Sequence, residues 1–239
     1  MKLSIIMLYY NGWNMVHARL AELAKYMPIE NAELVLVDNG SEEDSSRQVN
    51  WWQEHFPRTL HYVHLEKNYG YAIGNNMGAE QATGEYFLFL NPDVIIHQPF
   101  VDEILPLLIR DHQIILGGKV IDWDGGWNTF IEGGQRYTIP YCEGWALAMS
   151  EWAWTDLGGF DERYAPYDCE DLDLSITALE KGFHLASLPH GLFTHLGGKS
   201  FEANLIRPDE RRKITEINRE KLLQKWQGRF STISERLKV

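Results

Sequence analysis

The sequence predicts an α/β fold built on a mostly parallel sheet. Short apolar runs of strand length recur along the chain, several of them with a helix-spaced or polar segment behind them. The runs are of the buried type, apolar with few polar interruptions, as in strands covered on both faces. No internal repeat or low-complexity stretch breaks the pattern.

The first run is residues 3–9 (LSIIMLY), and residues 14–26 follow it with Leu20, Leu23 and Ala24 at helical spacing. Residues 33–37 (ELVLV) form a second strand, which the turn residues Asp38-Asn39-Gly40-Ser41 break. A polar helix is expected over 44–55, a third strand over 60–65, a helix over 73–82 and a fourth strand over 85–90 (EYFLFL). Residues 122–141, rich in glycine and aromatics, read as a loop or hairpin excursion, and 142–149 as another strand. Residues 170–181 carry Leu172, Ile176 and Leu179 on one helical face with Gly182 as the stop, and 183–188 return as a strand. From residue 209, Ile214, Ile217, Leu222, Trp226, Phe230, Ile233 and Leu237 recur at three- to five-residue steps, which predicts an amphipathic helical tail.

The chain has 239 residues, 44% hydrophobic and 23% charged, enough for a sizeable core and typical of a folded protein. No apolar run is long enough to span a bilayer. The N-terminus enters a strand without a small-residue cleavage site, so no secretory signal is expected. Two cysteines, Cys142 and Cys169, exclude a disulfide scaffold and fit a reducing compartment, so the cytoplasm is the expected setting. The net charge of −12 argues against broad nucleic-acid binding. Residues 207–239 carry ten Lys/Arg against five Asp/Glu, a local +5 that leaves −17 on residues 1–206. We therefore expect a main domain over 1–206 and a basic helical extension over 207–239. The extension either packs on its own domain or a second subunit, or docks on anionic lipid or a lipid-pyrophosphate acceptor.

The turn after the first strand, Tyr10-Asn11-Gly12-Trp13-Asn14, lacks the dinucleotide glycine fingerprint, and no Walker-type loop, Gly-x-Ser-x-Gly elbow or His-Glu-x-x-His helix occurs. In sheets of this class ligands sit beyond the carboxyl ends of the strands, which places Asn11, Asp38 and Asn91-Pro92-Asp93 along one edge.

Five segments, SIIMLYYN, LVLVDNGS, NYGYAIGNNMGAEQATGEYFLFLNPDV, GGFDERYAPYDCEDLDL and HLGGKS, occur in an order that resembles family 2 glycosyltransferases with the GT-A fold. Within that family the chain is most similar to the rhamnosyltransferase-like branch. The resemblance runs from Leu3 to about Ser200. It implies an inverting, metal-dependent transfer of a hexosyl or deoxyhexosyl group from a nucleoside diphosphate sugar to a hydroxyl of a glycan or lipid-linked saccharide. Asn91-Pro92-Asp93 falls on the family's Asp-x-Asp position, which implies Asp93 as a metal ligand with Asn91 beside the donor; a plain turn is the competing reading. Glu170-Asp171 falls on the family's Glu-Asp pair, which implies Asp171 as general base and Glu170 as the residue that holds the acceptor or orients Asp171. Carboxylates at a helix start also serve as ordinary caps, although four acids between Asp168 and Asp173 exceed that need.

His195, in THLGGKS, matches a family histidine that completes the metal shell, with His190 as its rival; Mn2+ or Mg2+ is the implied ion. Tyr9, Asn11 and Asp38 are expected around the nucleotide base and ribose, with an Asx turn as the alternative for Asp38. Asn68, Gly70 and Asn75 are expected near ribose or sugar hydroxyls. Five of the nine tryptophans lie between 123 and 154. Trp127, among loop glycines, and Trp145, after Gly144, are the expected acceptor contacts, whereas Trp152 and Trp154 are expected to pack. Three rivals stand beside this reading. A nucleotidyltransferase lacks its glycine- and lysine-rich loop here, a non-catalytic carbohydrate-binding protein would have lost carboxylates that are present, and a glycosyltransferase of modified DNA conflicts with the acidity.

Overall fold

A computed structural model of the chain describes residues 2–27, 30–42, 45–122, 124, 126–197 and 207–237. Its centre is a seven-stranded sheet. The first four strands in sequence are β1 (Leu3–Tyr9), β2 (Ala32–Asp38), β3 (Thr59–His64) and β4 (Tyr86–Leu90). They lie side by side in the order β3-β2-β1-β4, all parallel. Beyond β4 come β11 (Ala146–Ser150), antiparallel to both neighbours, then β6 (Ile114–Gly117) and β12 (His184–Ser187), parallel to each other. The predicted mostly parallel α/β architecture holds.

The unbroken apolar runs are explained by helices on both faces. Leu3, Ile5 and Met7 of β1 with Leu34 and Leu36 of β2 enter one core, which α1 (Trp13–Tyr26) and α4 (Val101–Arg110) cover. Ile6, Val35, Val37, Phe87 and Phe89 enter the opposite core, beneath α3 (Tyr71–Glu80), α5 (Glu151–Leu157) and α6 (Glu170–Glu180). Alternate residues of one strand thus feed two cores. Helix α3 lies close on the sheet because Gly74 and Gly78 face Leu8 and Ile6, where a Cβ would come within 2.6 and 2.8 Å of those side chains. Helix α2 (Ser46–His55) packs beside β3.

Several elements went unpredicted, α4, β6 and α5 among them. Helix α4 contains Pro106, which masks it in sequence, and β6 and α5 have only four and seven residues. The strand expected over 142–149 is also divided. Tyr141–Cys142 forms a short strand, β10, against β7 (Val120–Ile121), and Glu143-Gly144-Trp145 loops before β11 begins. The glycine-rich excursion contains the hairpin of β8 (Thr129–Glu132) and β9 (Gln135–Thr138). Two further short strands, β5 (Val94–Ile96) and β13 (Phe193–His195), pair antiparallel.

The tail is helical, but Gln227-Gly228 divides it into α7 (Pro208–Trp226) and α8 (Phe230–Arg236), with Gly228 at φ +83°. It packs on its own chain: Leu222, Trp226, Phe230 and Ile233 share a third core with Phe130 of the hairpin and with Leu172, Ile176 and Leu179 of α6. Polar groups lock the contact. Asp173 of α6 accepts from Tyr164 Oη at 3.0 Å, Trp226 Nε1 at 2.7 Å and Lys225 Nζ at 2.6 Å. Among the described residues no helix is long and apolar enough to cross a membrane.

Candidate active site

The carboxyl ends of the parallel strands form one rim, as Tyr9 pairs with Asp38 and Leu90 with Ala146 in the sheet register. A cleft of about 360 Å³ opens there. Tyr9 and Asn11 after β1, Asn68 and Gly70 before α3, Asn91 after β4, Trp145, Glu170, Asp171 and His195 all line it. Nine of the expected site residues thus meet in one place, drawn from six separate segments.

Loop-to-loop bonds shape the cleft walls. Asn11, in left-handed backbone at φ 52°, receives Glu42 N–H on its side-chain oxygen at 2.9 Å and donates its own N–H to Ser41 Oγ at 2.8 Å. Asn39 donates to Asn68 Oδ1 at 3.0 Å and accepts from Tyr69 N–H at 3.0 Å. Asn68 Oδ1 also accepts Gly70 N–H at 2.9 Å. Gly70, at φ +90°, lets the chain press against Pro166, whose Cα would lie 2.6 Å from a Cβ there. Asn39, buried and outside the predicted site, is the residue that ties these loops together.

Two expected nucleotide contacts have other surroundings. Asp38 is buried and does not line the cleft; its carboxylate accepts from Tyr62 Oη at 2.9 Å, Tyr9 Oη at 3.0 Å and Ser41 N–H at 2.8 Å. That is the Asx-turn alternative, with Asp38 as the floor beneath Tyr9. Asn75 is buried within α3 and donates to the Tyr71 carbonyl at 3.0 Å, so its side chain lies behind the cleft wall. The Trp145 ring stacks on His195 with centroids 5.2 Å apart, and Trp145 lines this cleft and not the second cavity described below.

Asp93 and His195 come together through the β5–β13 pair, in which His195 lies opposite Val94. The His195 Nε2 atom is 3.4 Å from Asp93 Oδ1, and that buried oxygen accepts no hydrogen bond among the described residues. An orphaned carboxylate oxygen facing an imidazole nitrogen fits a divalent cation. Among the described residues no third His, Cys, Asp or Glu joins them, so a cation held here would draw its other ligands from water or a bound phosphate. His190 is exposed and lines neither cavity. Trp123 and the Gly-Gly-x-Ser match after His195, beyond Gly197, lie outside the described residues.

A second cavity, of about 470 Å³, adjoins the first, and Asp171 lines both. Trp127, 54% exposed, Cys169 and Leu172 line the second, together with Arg211, Arg212 and Thr215 of α7. Asp168 and Cys169 precede α6 at φ 70° and 80°, a conformation L-residues adopt only when surroundings enforce it. The buried Asn218 of α7 supplies that enforcement by donating to the carbonyls of Tyr164, Tyr167 and Asp168. The tail thereby holds the loop that presents Glu170 and Asp171.

Burial raises the Asp171 carboxyl to about 6, against the pull of Gly144 N–H at 3.0 Å and Leu172 N–H at 2.7 Å. Burial, then the Asp171 charge, raises Glu170 well above the carboxylate range, and Glu170 Oε2 has no hydrogen-bond partner among the described residues. Tyr71 links the two sides. It donates to the Gly144 carbonyl at 2.8 Å, and burial with the charges of Glu170, Asp171 and Asp93 pushes its hydroxyl up. Burial thus raises both acids beside one cleft, Asp171 to about 6 and Glu170 well above its ordinary value.

The curated teichoic acid poly(glycerol phosphate) polymerase of Staphylococcus epidermidis is 28% identical over 92 residues, which is 38% of this chain and 13% of that protein. The chain spans less than half the length of this and the three curated relatives ranked beside it. Among solved structures, residues 1–349 of Staphylococcus aureus TarS in complex with UDP align with a TM-score of 0.60 at 21% identity, covering 90% of this chain and 69% of that one. The mannosyltransferase PcManGT of Pyrobaculum calidifontis, in complex with GDP-Man and Mn2+, aligns with a TM-score of 0.61 at 16% identity, covering 94% and 74%. These likenesses show a shared fold. The profile described as glycosyl transferase family 2 matches residues 4–150, from the first strand of the rim to the last residue of β11. That match covers more than half of the sequence, and the chain belongs to glycosyl transferase family 2.

Proposed function

We propose that the chain transfers a sugar from a nucleoside diphosphate sugar to a hydroxyl acceptor, with inversion. The observation that carries this reading is the place of Asp171 in the wall common to two cavities, with His195, the partner of the buried Asp93, lining the first cavity and not the second. The first cleft takes the donor, with Tyr9, Asn11 and Asn68 around the nucleotide and Asn91 beside the sugar phosphate. The second takes the acceptor, a glycan or lipid-linked saccharide, with Trp127 against a sugar face.

An acceptor hydroxyl gives its proton to the Asp171 carboxylate as its oxygen forms a bond to the anomeric carbon. The bond from that carbon to the diphosphate oxygen breaks, and its electron pair leaves with the diphosphate. A base whose pKa lies near 6 is ionised at neutral pH and still basic enough to share the proton in the transition state. Burial and the Asp171 charge bias Glu170 toward its neutral acid, which makes it a poor nucleophile for a double displacement and favours inversion. It acts instead by position, beneath Asp171. Asp93 and His195 would hold Mn2+ or Mg2+, which when bound supplies positive charge to offset that of the departing diphosphate. The presence of GDP-Man and Mn2+ in PcManGT, and of UDP in TarS, supports a donor of this kind. The acidic surface speaks against a nucleic-acid acceptor.

A thermal-shift screen of UDP-, GDP-, dTDP- and CMP-linked sugars with and without Mn2+ tests the reading. At about a hundredfold excess over Kd a bound donor stabilises the fold by about 2.7 kcal/mol, or about 5–10 °C for a chain of this size. The shift is expected for one diphosphate donor and to depend on the metal; no shift with any diphosphate donor removes the proposal.

A further inference from the structure

The acceptor-side cavity divides its charges between two walls, with Arg211 and Arg212 on one and Asp168 and Asp171 on the other. The protein is −12 overall, yet the wall that α7 gives to this cavity consists of Pro208, Arg211, Arg212 and Thr215. None of the helix's four acids, Asp209, Glu210, Glu216 and Glu220, lines it. On the opposite wall the carboxylates are turned toward protein donors. Asp168 accepts from Thr215 Oγ1, with Arg211 at 3.8 Å, and Asp171 accepts from two backbone N–H groups. The Arg212 side chain is 79% exposed and pairs along its own helix with Glu216 at 2.9 Å. A surface pair of that kind is weak and exchanges readily for a better anion. One turn beyond Thr215, Arg219 sits behind Trp127, 5.5 Å from the ring centroid, and donates to the Trp127 and Thr129 carbonyls. The aromatic surface is thereby fixed at the cavity's edge.

We propose that this cavity binds an acceptor carrying a phosphate group, which Arg211 and Arg212 grip while the hydroxyl-bearing sugar or polyol rests between Trp127 and Asp171. The inference rests on the glycosyltransferase reading above and deepens it by naming the acceptor's chemistry. A neutral sugar needs an aromatic face and a few polar groups, and it makes no use of the guanidinium charge on the α7 wall. A phosphate does use it, because guanidinium forks match its non-bridging oxygens and the exposed Arg212 can exchange Glu216 for such an anion. The phosphate belongs either to a phosphodiester-linked chain, with one negative charge per phosphate, or to a lipid-linked pyrophosphate, with two in all, and both present non-bridging phosphate oxygens to the arginines.

Calorimetry on the full chain, with the donor cleft saturated by UDP and Mn2+ or by the nucleotide that the screen selects, tests this. Glucose 1-phosphate is compared with methyl glucoside, and glycerol 3-phosphate with glycerol. At low salt the phosphorylated probe of each pair is expected to bind roughly tenfold or more tightly, as charge-assisted bonds imply. In Arg212→Gln, which alters an exposed side chain outside the donor cleft, that preference is expected to drop about tenfold. In Trp127→Ala both glucose probes should weaken together. Tighter binding of farnesyl-diphosphate-linked N-acetylglucosamine in micelles than of glycerol 3-phosphate names the lipid source, and the reverse names the polymer. Equal binding of charged and neutral probes overturns the proposal, as does a preference that survives Arg212→Gln or a phosphate probe that the nucleotide displaces. A donor-induced melting shift alongside equal probe binding defeats this inference alone, whereas absence of the donor shift defeats the glycosyltransferase reading itself.

Discussion

Asp171→Asn separates two demands that the site makes on one side chain. Burial raises the carboxyl from 3.8 to about 6, so the folded chain holds that proton more tightly than the unfolded chain does. A group raised in this way contributes stability below about pH 4, and the contribution is lost as pH rises through 6. A shift of about two units corresponds to about 3 kcal/mol, and the partial exposure of Asp171 and its interaction with Glu170 reduce this to about 2 kcal/mol. Asparagine has no charge to bury, so the variant should gain about 2 kcal/mol on wild type between pH 4 and pH 7. A constant offset runs the other way. The two carboxylate oxygens accept separately from Leu172 and Gly144, and an amide nitrogen cannot replace one of them, at a cost of about 1–3 kcal/mol. That cost does not depend on pH and cancels when urea unfolding is compared across a pH series. Turnover, followed by nucleotide release, should fall roughly 10²–10⁴-fold in the variant. In wild type it should decline below about pH 6, as the ionised fraction drops to about a tenth by pH 5. A stability difference that stays flat with pH, or a variant that turns over at near wild-type rate, would refute the reasoning.

Asp93→Ala should abolish the metal-dependent part of nucleotide binding, because it removes the carboxylate oxygen that faces His195 Nε2; calorimetry with and without Mn2+ reads this. Lys225→Met removes one partner of the buried Asp173 and should cost about 3 kcal/mol in urea unfolding, with turnover falling as the loop before α6 loosens. Gly70→Ala places a Cβ 2.6 Å from Pro166 Cα at φ +90°, which should cost about 2–4 kcal/mol and weaken nucleotide binding in a thermal-shift titration. Glu33 lies at the far edge of the sheet. Burial works to raise its pKa, but donors on Lys2, Ser4 and Thr83 outweigh it and hold the carboxyl at about 2. A lowered carboxyl stabilises above its unfolded value of 4.5 and loses that contribution as pH falls toward 2, so Glu33→Gln should cost about 3 kcal/mol at pH 6 and little near pH 2.

The sheet's centre was legible because its strands answer to a local rule. Runs such as LSIIMLY and YFLFL have both faces buried, so hydrophobicity alone places them to within a residue. Elements that depend on context were not legible. Helix α4 contains a proline, and β6 is four residues held between β11 and β12. At the site, residues at strand ends were found because topology brings them to one rim, whereas the direction of a side chain was not. Asp38 and Asn75 stand at expected positions yet bond inward: Tyr62 reaches Asp38 from the neighbouring strand, while the Ser41 N–H three residues on and, for Asn75, the Tyr71 carbonyl one turn back are local partners that claim the side chains.

The acidic run before and within α6 shows how much such direction matters. Four acids between 168 and 173 exceed, in sequence, what capping a helix requires. The structure distributes them among different tasks: Asp168 accepts from Thr215, the buried Glu170 lines the first cleft alone, Asp171 faces both cavities, and Asp173 anchors Lys225 and Trp226. Two of the four therefore bind the tail. The helix that they hold returns Asn218 to the strained loop and Arg211 and Arg212 to the acceptor-side wall. A charge boundary at residue 207 suggested a separable appendage, because composition records where basic residues occur and not what they pack against. The burial of Leu222, Trp226 and Phe230 against α6 makes the tail one wall of the site, so its loss should take the acceptor side with it.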